Sequence, residues 1–339
     1  MRRARSDSST VKTPPPAVTW KGGVHIEGTH VWCDAPRARG LCFLSYATGA
    51  GQRTRAGHKQ LLVTPTTHAL LGSRDDDALV TPTGRPFSLG EARLELFPSG
   101  RMPGAAALVI APRRDGPRII YAGELNALRE GERARLAEPC EVRGADVVVV
   151  AAPVAALGGS LPPRDVIEQR LIDAVRRALE EKRTPIVLAQ AAGAAEEVVA
   201  ILGAAGIALR AHPRIAARVT ALRALGCDLV SPLGTTPRDG VPLVWPIELR
   251  ASPALVALRA PLRIAVTALA LDPDAGARLA VDELVPLADH ADLDALVAWV
   301  SATGAREVRL TAGYGERLVR ALAPRAVFAL GPPRQLDLF

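Results

Sequence analysis

Phe97-Pro-Ser-Gly-Arg-Met-Pro-Gly-Ala-Ala106 leads into an apolar strand, and Ile119-Ile-Tyr-Ala-Gly-Glu-Leu-Asn126 follows it. Much later come Asp282-Glu-Leu-Val-Pro-Leu-Ala-Asp-His-Ala-Asp292 and Arg309-Leu-Thr-Ala-Gly-Tyr314. The ground around the first pair, from Val18 to Ala152, is a series of short β-rich runs separated by Gly and Pro. Examples are Gly40–Tyr46, Gln60–Val63, Ala92–Phe97, Ala105–Ile110 and Arg118–Tyr121. Asp146-Val-Val-Val-Val150 is a continuous apolar run, the pattern of a strand buried on both faces.

After Leu161-Pro-Pro163 the pattern changes. Val166, Ile167, Leu171, Ile172, Val175 and Leu179 recur at helical spacing among charges, which predicts an amphipathic helix over Arg164–Lys182. Strands are expected at Pro185–Ala189 and Ile207–Ala211, alternating with helices at Ala194–Leu202 and Arg214–Leu225. Strand–helix alternation of this kind builds a small parallel α/β unit. Leu262–Thr267 reads as a strand that returns the chain to the first body, followed by a helix over Ala291–Thr303, a strand at Glu307–Leu310 and a helix over Gly315–Ala323.

In order and spacing the four quoted segments resemble the metallo-β-lactamase-fold nucleases of the β-CASP group, above all the bacterial ligase-associated DNA exonucleases. That family shows a Pro-x-Gly-His loop, a Gly-Asp turn after a strand, a Ser-Asp-His-Ala-Asp stretch and a Thr-His-Gly-Tyr end. The resemblance spans Val18 to Leu330, strongest over Pro98–Leu125 and Ala288–Tyr314. It implies an α/β fold: a metallo-β-lactamase αββα sandwich with an inserted β-CASP-like α/β domain. The sandwich is then expected over 18–157 and 261–330, the insertion over 158–260, a basic Pro-rich flexible tail over 1–17 and a separate peptide over 331–339.

The same resemblance implies a pair of divalent ions, usually zinc, that turn a bridging water into a nucleophile. The ligand positions depart from it. In Cys42-Phe-Leu-Ser-Tyr-Ala-Thr-Gly-Ala-Gly51, Tyr46, Thr48, Ala50 and Gly51 stand where a His-x-His-x-Asp-His loop would be. Arg101 stands at the next His, Glu124 at the bridging Asp, Ala151 at a usual acidic position and Ala312 at the last His. Ala and Gly carry no donor atoms, and a guanidinium stays protonated and adds positive charge where cations should sit. Asp289 and His290 survive. Glu124 has two uses open to it, an ion pair with Arg101 or a ligand; His290 either caps and packs or does chemistry. The function this implies is a non-catalytic nuclease homologue in DNA repair or replication, with no catalytic residues and no cofactor. The alternative is a divergent exonuclease with a single divalent metal, zinc or manganese.

Forty-two Lys+Arg against 35 Asp+Glu give +7 over 339 residues, which suits DNA or RNA as a partner. Arg53, Arg55 and Lys59, with the tail arginines Arg2, Arg3 and Arg5, are the candidate contacts. Aromatics are 4% of a 48% hydrophobic composition, so stacking surfaces are few. Cys33, Cys42, Cys140 and Cys227 form no Cys-x-x-Cys pair, which argues against a zinc ribbon or a disulfide framework. His25, His30, His58 and His68 are scattered, and Asp75–Asp77 reads as a solvated turn. The start has no apolar stretch behind its charges and no segment approaches the roughly 20 apolar residues of a membrane helix, so a cytoplasmic protein is expected. Gln335-Leu-Asp-Leu-Phe339 resembles the peptide by which clients dock on the bacterial sliding clamp: Gln335 to orient it, Leu336, Leu338 and Phe339 as anchors, Asp337 between them. An active nuclease paralogue or a DNA ligase is a further candidate partner; the other reading of the peptide is that it folds back on the core.

Overall fold

The computed structural model describes residues 17–47, 57–72, 77–113, 116–272 and 274–332, and these form a mixed α/β chain with three sheets and eight α-helices. The first sheet runs β1 (Val18–Trp20), β2 (Val24–Ile26), β3 (Val31–Cys33), β4 (Leu41–Phe43), β5 (Gln60–Val63) and β6 (Leu79–Val80), in that spatial order. The second holds β7 (Phe87–Leu89), β8 (Ala92–Pro98), β9 (Ala106–Ala111), β10 (Ile119–Glu124) and β11 (Val147–Ala151), with β17 (Glu307–Ala312) and β18 (Ala326–Ala329) added beyond β11. β7 to β10 are antiparallel neighbours; β10, β11, β17 and β18 are parallel.

These two sheets face each other. Val24, Ile26, Phe43 and Leu62 of the first share a core with Leu94, Leu108, Ile110 and Val149 of the second. β11 shows why its sequence is uniformly apolar: Val147 and Val149 enter that shared core, while Val148 and Val150 enter a second core on the opposite face. The second core is closed by the helix Leu293–Thr303, which buries Leu296, Trp299 and Val300. On the outer face of the first sheet lies α1 (Pro65–Leu71), against Cys42, Leu61 and Val63. Helix, sheet, sheet and helix thus stack in layers.

The third sheet, β13 (Arg210–Ala211), β14 (Leu243–Pro246), β12 (Thr184–Ala189), β15 (Pro261–Val266) and β16 (Glu283–Val285), is parallel throughout. Helices α2 (Arg164–Glu180), α3 (Ala194–Ala204) and α4 (Pro213–Ala224) cover one face. On α2, Ile167, Leu171, Ile172 and Val175 are buried as the spacing requires, but Val166 is exposed and belongs to the solvent face. The expected return at residue 261 is corrected: β15 pairs with β12 and β16, and its Leu262, Ile264 and Val266 are buried under the same helices. The chain leaves the third sheet only after β16. Both crossings between the bodies meet at one carboxylate, since Asp292 Oδ2 accepts from the Leu161 N–H (2.8 Å) and from Arg129 Nη2 (2.9 Å). Asp292 Oδ1 accepts from the Ala295 N–H and so caps the helix Leu293–Thr303.

Candidate functional site

The site lies where three parallel strands end. Glu124 is in register with Ala151, and Ala151 with Ala312, so the last residues of β10, β11 and β17 form one row in which only Glu124 carries a polar side chain. Beside that row runs the loop after β8. Gly100 has φ +76, and a Cβ there would stand 2.3 Å from the Asn126 carbonyl oxygen. The tight turn this permits sends Arg101 inward, where its side chain is 1% exposed. The loop is anchored at its far end by Thr64 and Thr67, whose hydroxyls both donate to the Gly104 carbonyl (2.7 and 2.8 Å).

Arg101 is the hub. Its Nη2 lies 2.9 Å from Glu124 Oε2 and 3.5 Å from Asp289 Oδ2, and its Cζ sits 3.8 Å over the Tyr46 ring. His290 closes the circuit, with Nδ1 2.7 Å from Asp289 Oδ1 and Nε2 3.3 Å from Glu124 Oε2. Tyr46, Arg101, Glu124, Asp289 and His290 therefore come together as one cluster, with Ala312 two strands away along the same row. Thr48, Ala50 and Gly51 lie outside the described residues, as do Arg53 and Arg55. His25 stacks on Trp32 and His58 accepts from the Arg39 N–H; neither joins the cluster. Lys59 is exposed.

Two cations and two carboxylates in a buried space hold one another ionised. Burial opposes the charge on every member. Against it, the Asp289 charge and hydrogen bond, with Glu124, push the His290 imidazole up to about 9. Asp289 and Glu124 are held below the usual carboxylate range by His290 and Arg101 despite burial. Burial pushes the Tyr46 phenol up, beyond what the Arg101 charge offsets. The consequence for stability has a definite sign. His290 ordinarily titrates near 6.5, so its contribution is complete below about 6.5 and is lost as pH rises through about 9. The carboxylates contribute above their ordinary range and lose that contribution as pH falls. Thermal denaturation followed from pH 5 to pH 10 should show an alkaline decline that flattens in H290Q; an identical decline in that variant would remove the imidazolium from the account.

Asp34 escaped sequence reasoning. It is half-buried, has φ 41, and accepts from the Ser45 N–H (2.9 Å), Ser45 Oγ (2.5 Å) and Tyr121 Oη (2.9 Å). It thereby fixes the backbone leading into Tyr46. Gly123 must be a glycine because a Cβ there would stand 2.8 Å from Ser45 Oγ. The available signal was an acidic residue immediately after the apolar Val31–Cys33 strand. The insertion also reaches the site. Ala192 packs with Met102, Ala105 and Tyr46, Arg218 of α4 donates to the Ala47 carbonyl (3.3 Å), and Gly193, at φ +93, leaves 2.4 Å between a would-be Cβ and Asp289 Oδ2.

The donor set does not fit a metal pair. Among the described residues no group of three or more His, Cys, Asp or Glu side chains is arranged to hold an ion. The two carboxylates of the cluster, Glu124 and Asp289, are already in contact with the guanidinium, which has no lone pair to offer.

No family model matches the chain. A probable DNA ligase from Opitutus terrae (strain DSM 11246 / JCM 15787 / PB90-1) is 24% identical over 335 residues, 95% of this chain and 32% of that protein. The chain spans about a third of that relative's length. Among solved structures, a protein of unknown function from Enterococcus faecalis V583 aligns with a TM-score of 0.53 at 16% identity, covering 87% of this chain and 79% of that one. This is a likeness of fold. Among the described residues no helix is long and apolar enough to cross a membrane.

Proposed function

We propose that this chain is a non-catalytic homologue of the β-CASP nucleases that serves DNA repair or replication as an accessory or scaffold. The helix–sheet–sheet–helix layering, interrupted after β11 by a parallel α/β unit, supports the metallo-β-lactamase sandwich with a β-CASP-like insertion. The match along the chain to a probable DNA ligase supports a DNA-related setting. One observation carries the non-catalytic reading: Arg101 Nη2 contacts both Glu124 and Asp289, so a tethered guanidinium neutralises the carboxylates that a metal would need. Partners in this reading are DNA or RNA, an active nuclease or a ligase, in the cytoplasm, and the sliding clamp through Gln335, Leu336, Asp337, Leu338 and Phe339. That peptide lies outside the described residues.

The test combines elemental analysis of the purified protein with a nuclease assay in zinc and manganese and a binding titration on DNA. The expected result is no stoichiometric transition metal, no cleavage, and DNA binding that weakens steeply with salt. A tightly held ion in each chain, or cleavage that disappears in E124Q, would instead favour a reduced-metal exonuclease.

A further inference from the structure

Between β10 and β11 the chain leaves the second sheet for residues 125–146 and forms no helix or strand there. A connection of that length without regular structure is ordinarily loose or functional. This one is tied down at both ends and in the middle. At its start the Asn126 N–H donates to the Ser99 carbonyl (2.9 Å), and the Leu125 carbonyl accepts from the Ala291 N–H (2.9 Å). At its end the Glu141 N–H donates to the Pro98 carbonyl (3.1 Å), the Glu141 carbonyl accepts from Trp299 Nε1 (2.9 Å), and Arg143 Nε donates to Glu95 Oε1 (2.7 Å). All of these anchors belong to the layered body of the first two sheets.

The middle of the connection lies on the other body. Glu132 Oε1 accepts from the Arg164 N–H (3.0 Å) at the start of α2, and Leu136 packs on the core beneath the helices of the third sheet. The Arg135 N–H donates to Glu197 Oε1 (2.6 Å), while Arg135 Nε and Nη2 both donate to Glu168 Oε2 (2.8 and 2.6 Å). Glu168 of α2 and Glu197 of α3 are each only 8% exposed. Among the described residues the insertion offers them one cation, Arg164, whose Nε donates to Glu168 Oε1 (3.1 Å) and whose Nη2 donates to Glu197 Oε1. Two buried carboxylates facing one guanidinium leave net negative charge out of water, which is costly unless a second cation reaches them. Burial already pushes the Glu197 carboxyl up against the pull of Arg164 and the Arg135 N–H, so its partners offset desolvation only in part. Arg135 is the second cation, and it comes from the other body.

We propose that residues 128–140 are a clasp by which the layered body holds the insertion, so that the two open and unfold as one unit. Bodies joined by so few chain crossings ordinarily move against each other unless a large apolar interface stops them. Here the restraint is an ion cluster that separation would leave short of positive charge, together with Leu136, which separation would expose. The clasp also keeps Gly193 in place over Asp289, so the charge cluster around Arg101 stays covered.

Scanning calorimetry and amide hydrogen exchange on the full chain test this. The wild type should unfold in one transition. R135A removes the second cation at a side chain that is 39% exposed. It should split the transition in two and speed exchange in α2 and α3 by about ten-fold, with β9 and β10 as protected as in the wild type. R133A makes the same change in charge two residues earlier, at an exposed position, and should keep the single transition and the wild-type exchange. If R135A does not fold, R135K, which keeps the charge and gives up the second guanidinium bond, should show the same split in milder form. Two transitions in the wild type would overturn the clasp. So would a single transition with uniformly faster exchange in the Arg135 variants, or equal behaviour of R135A and R133A.

Discussion

R101A is expected to lower the unfolding free energy by about 3–5 kcal/mol, the usual cost of breaking a buried ion pair by removing one partner. The loss has three parts: the contacts to Glu124 and Asp289, the packing over Tyr46, and the two carboxylates left with His290 as the only cation paired with them among the described residues. The loss should also depend on pH in a way that a simple cavity would not. Without the guanidinium the carboxylates titrate at higher pH in the folded protein, so the gap between variant and wild type narrows as pH falls toward about 4. R101M combined with E124Q keeps the volume and removes one charge of each sign, and should recover most of the stability. Urea denaturation at two pH values decides the matter. A deficit that is small and independent of pH would mean that Arg101 is merely filling space.

G193A is expected to cost about 3 kcal/mol, from a positive φ that alanine tolerates poorly and from overpacking against Asp289. The approach of 2.4 Å is to a carboxylate that Arg101 and His290 already hold, so it has little room to retreat. Gly206 provides the comparison. It has φ +74 and open space around a would-be Cβ, so G206A should cost only about 1 kcal/mol. The difference reports the contact between the insertion and the charge cluster. G193A should in addition move the alkaline decline of stability, because shifting Asp289 weakens its hold on His290. Equal costs for the two variants would show that the insertion does not press on the site.

The parts of this molecule that were legible in sequence are those where one residue type has one physical use. A continuous valine run between turns marks a strand buried on both faces, and Val147–Val150 is such a strand. The family resemblance set Arg101 and Glu124 side by side and left Glu124 either an ion pair or a ligand role; the structure pairs them, because a buried charge needs a partner. Short strands were less visible. β14 and β16 are three or four residues long and owe their existence to pairing with distant neighbours, which local pattern does not encode. The misplaced return at residue 261 has the same origin: Leu262–Val266 reads as a buried strand in either sheet, and the choice is made by helices a hundred residues away in sequence or nearer. Asp34 was missed because its importance comes from Ser45 and Tyr121, which only the fold brings to it.

Asp292 has a mechanical consequence. By accepting from Leu161 and from Arg129 it ties the outgoing and returning chain together, so the whole stretch between them is a closed excursion with a narrow neck. A module attached in this manner is free to fold around its own parallel sheet before it docks, and the entropy of bringing its ends together is offset at a single carboxylate. Gly193 rests on Asp289, three residues before Asp292, so the contact between the module and the charge cluster lies beside that neck and not at a distant edge.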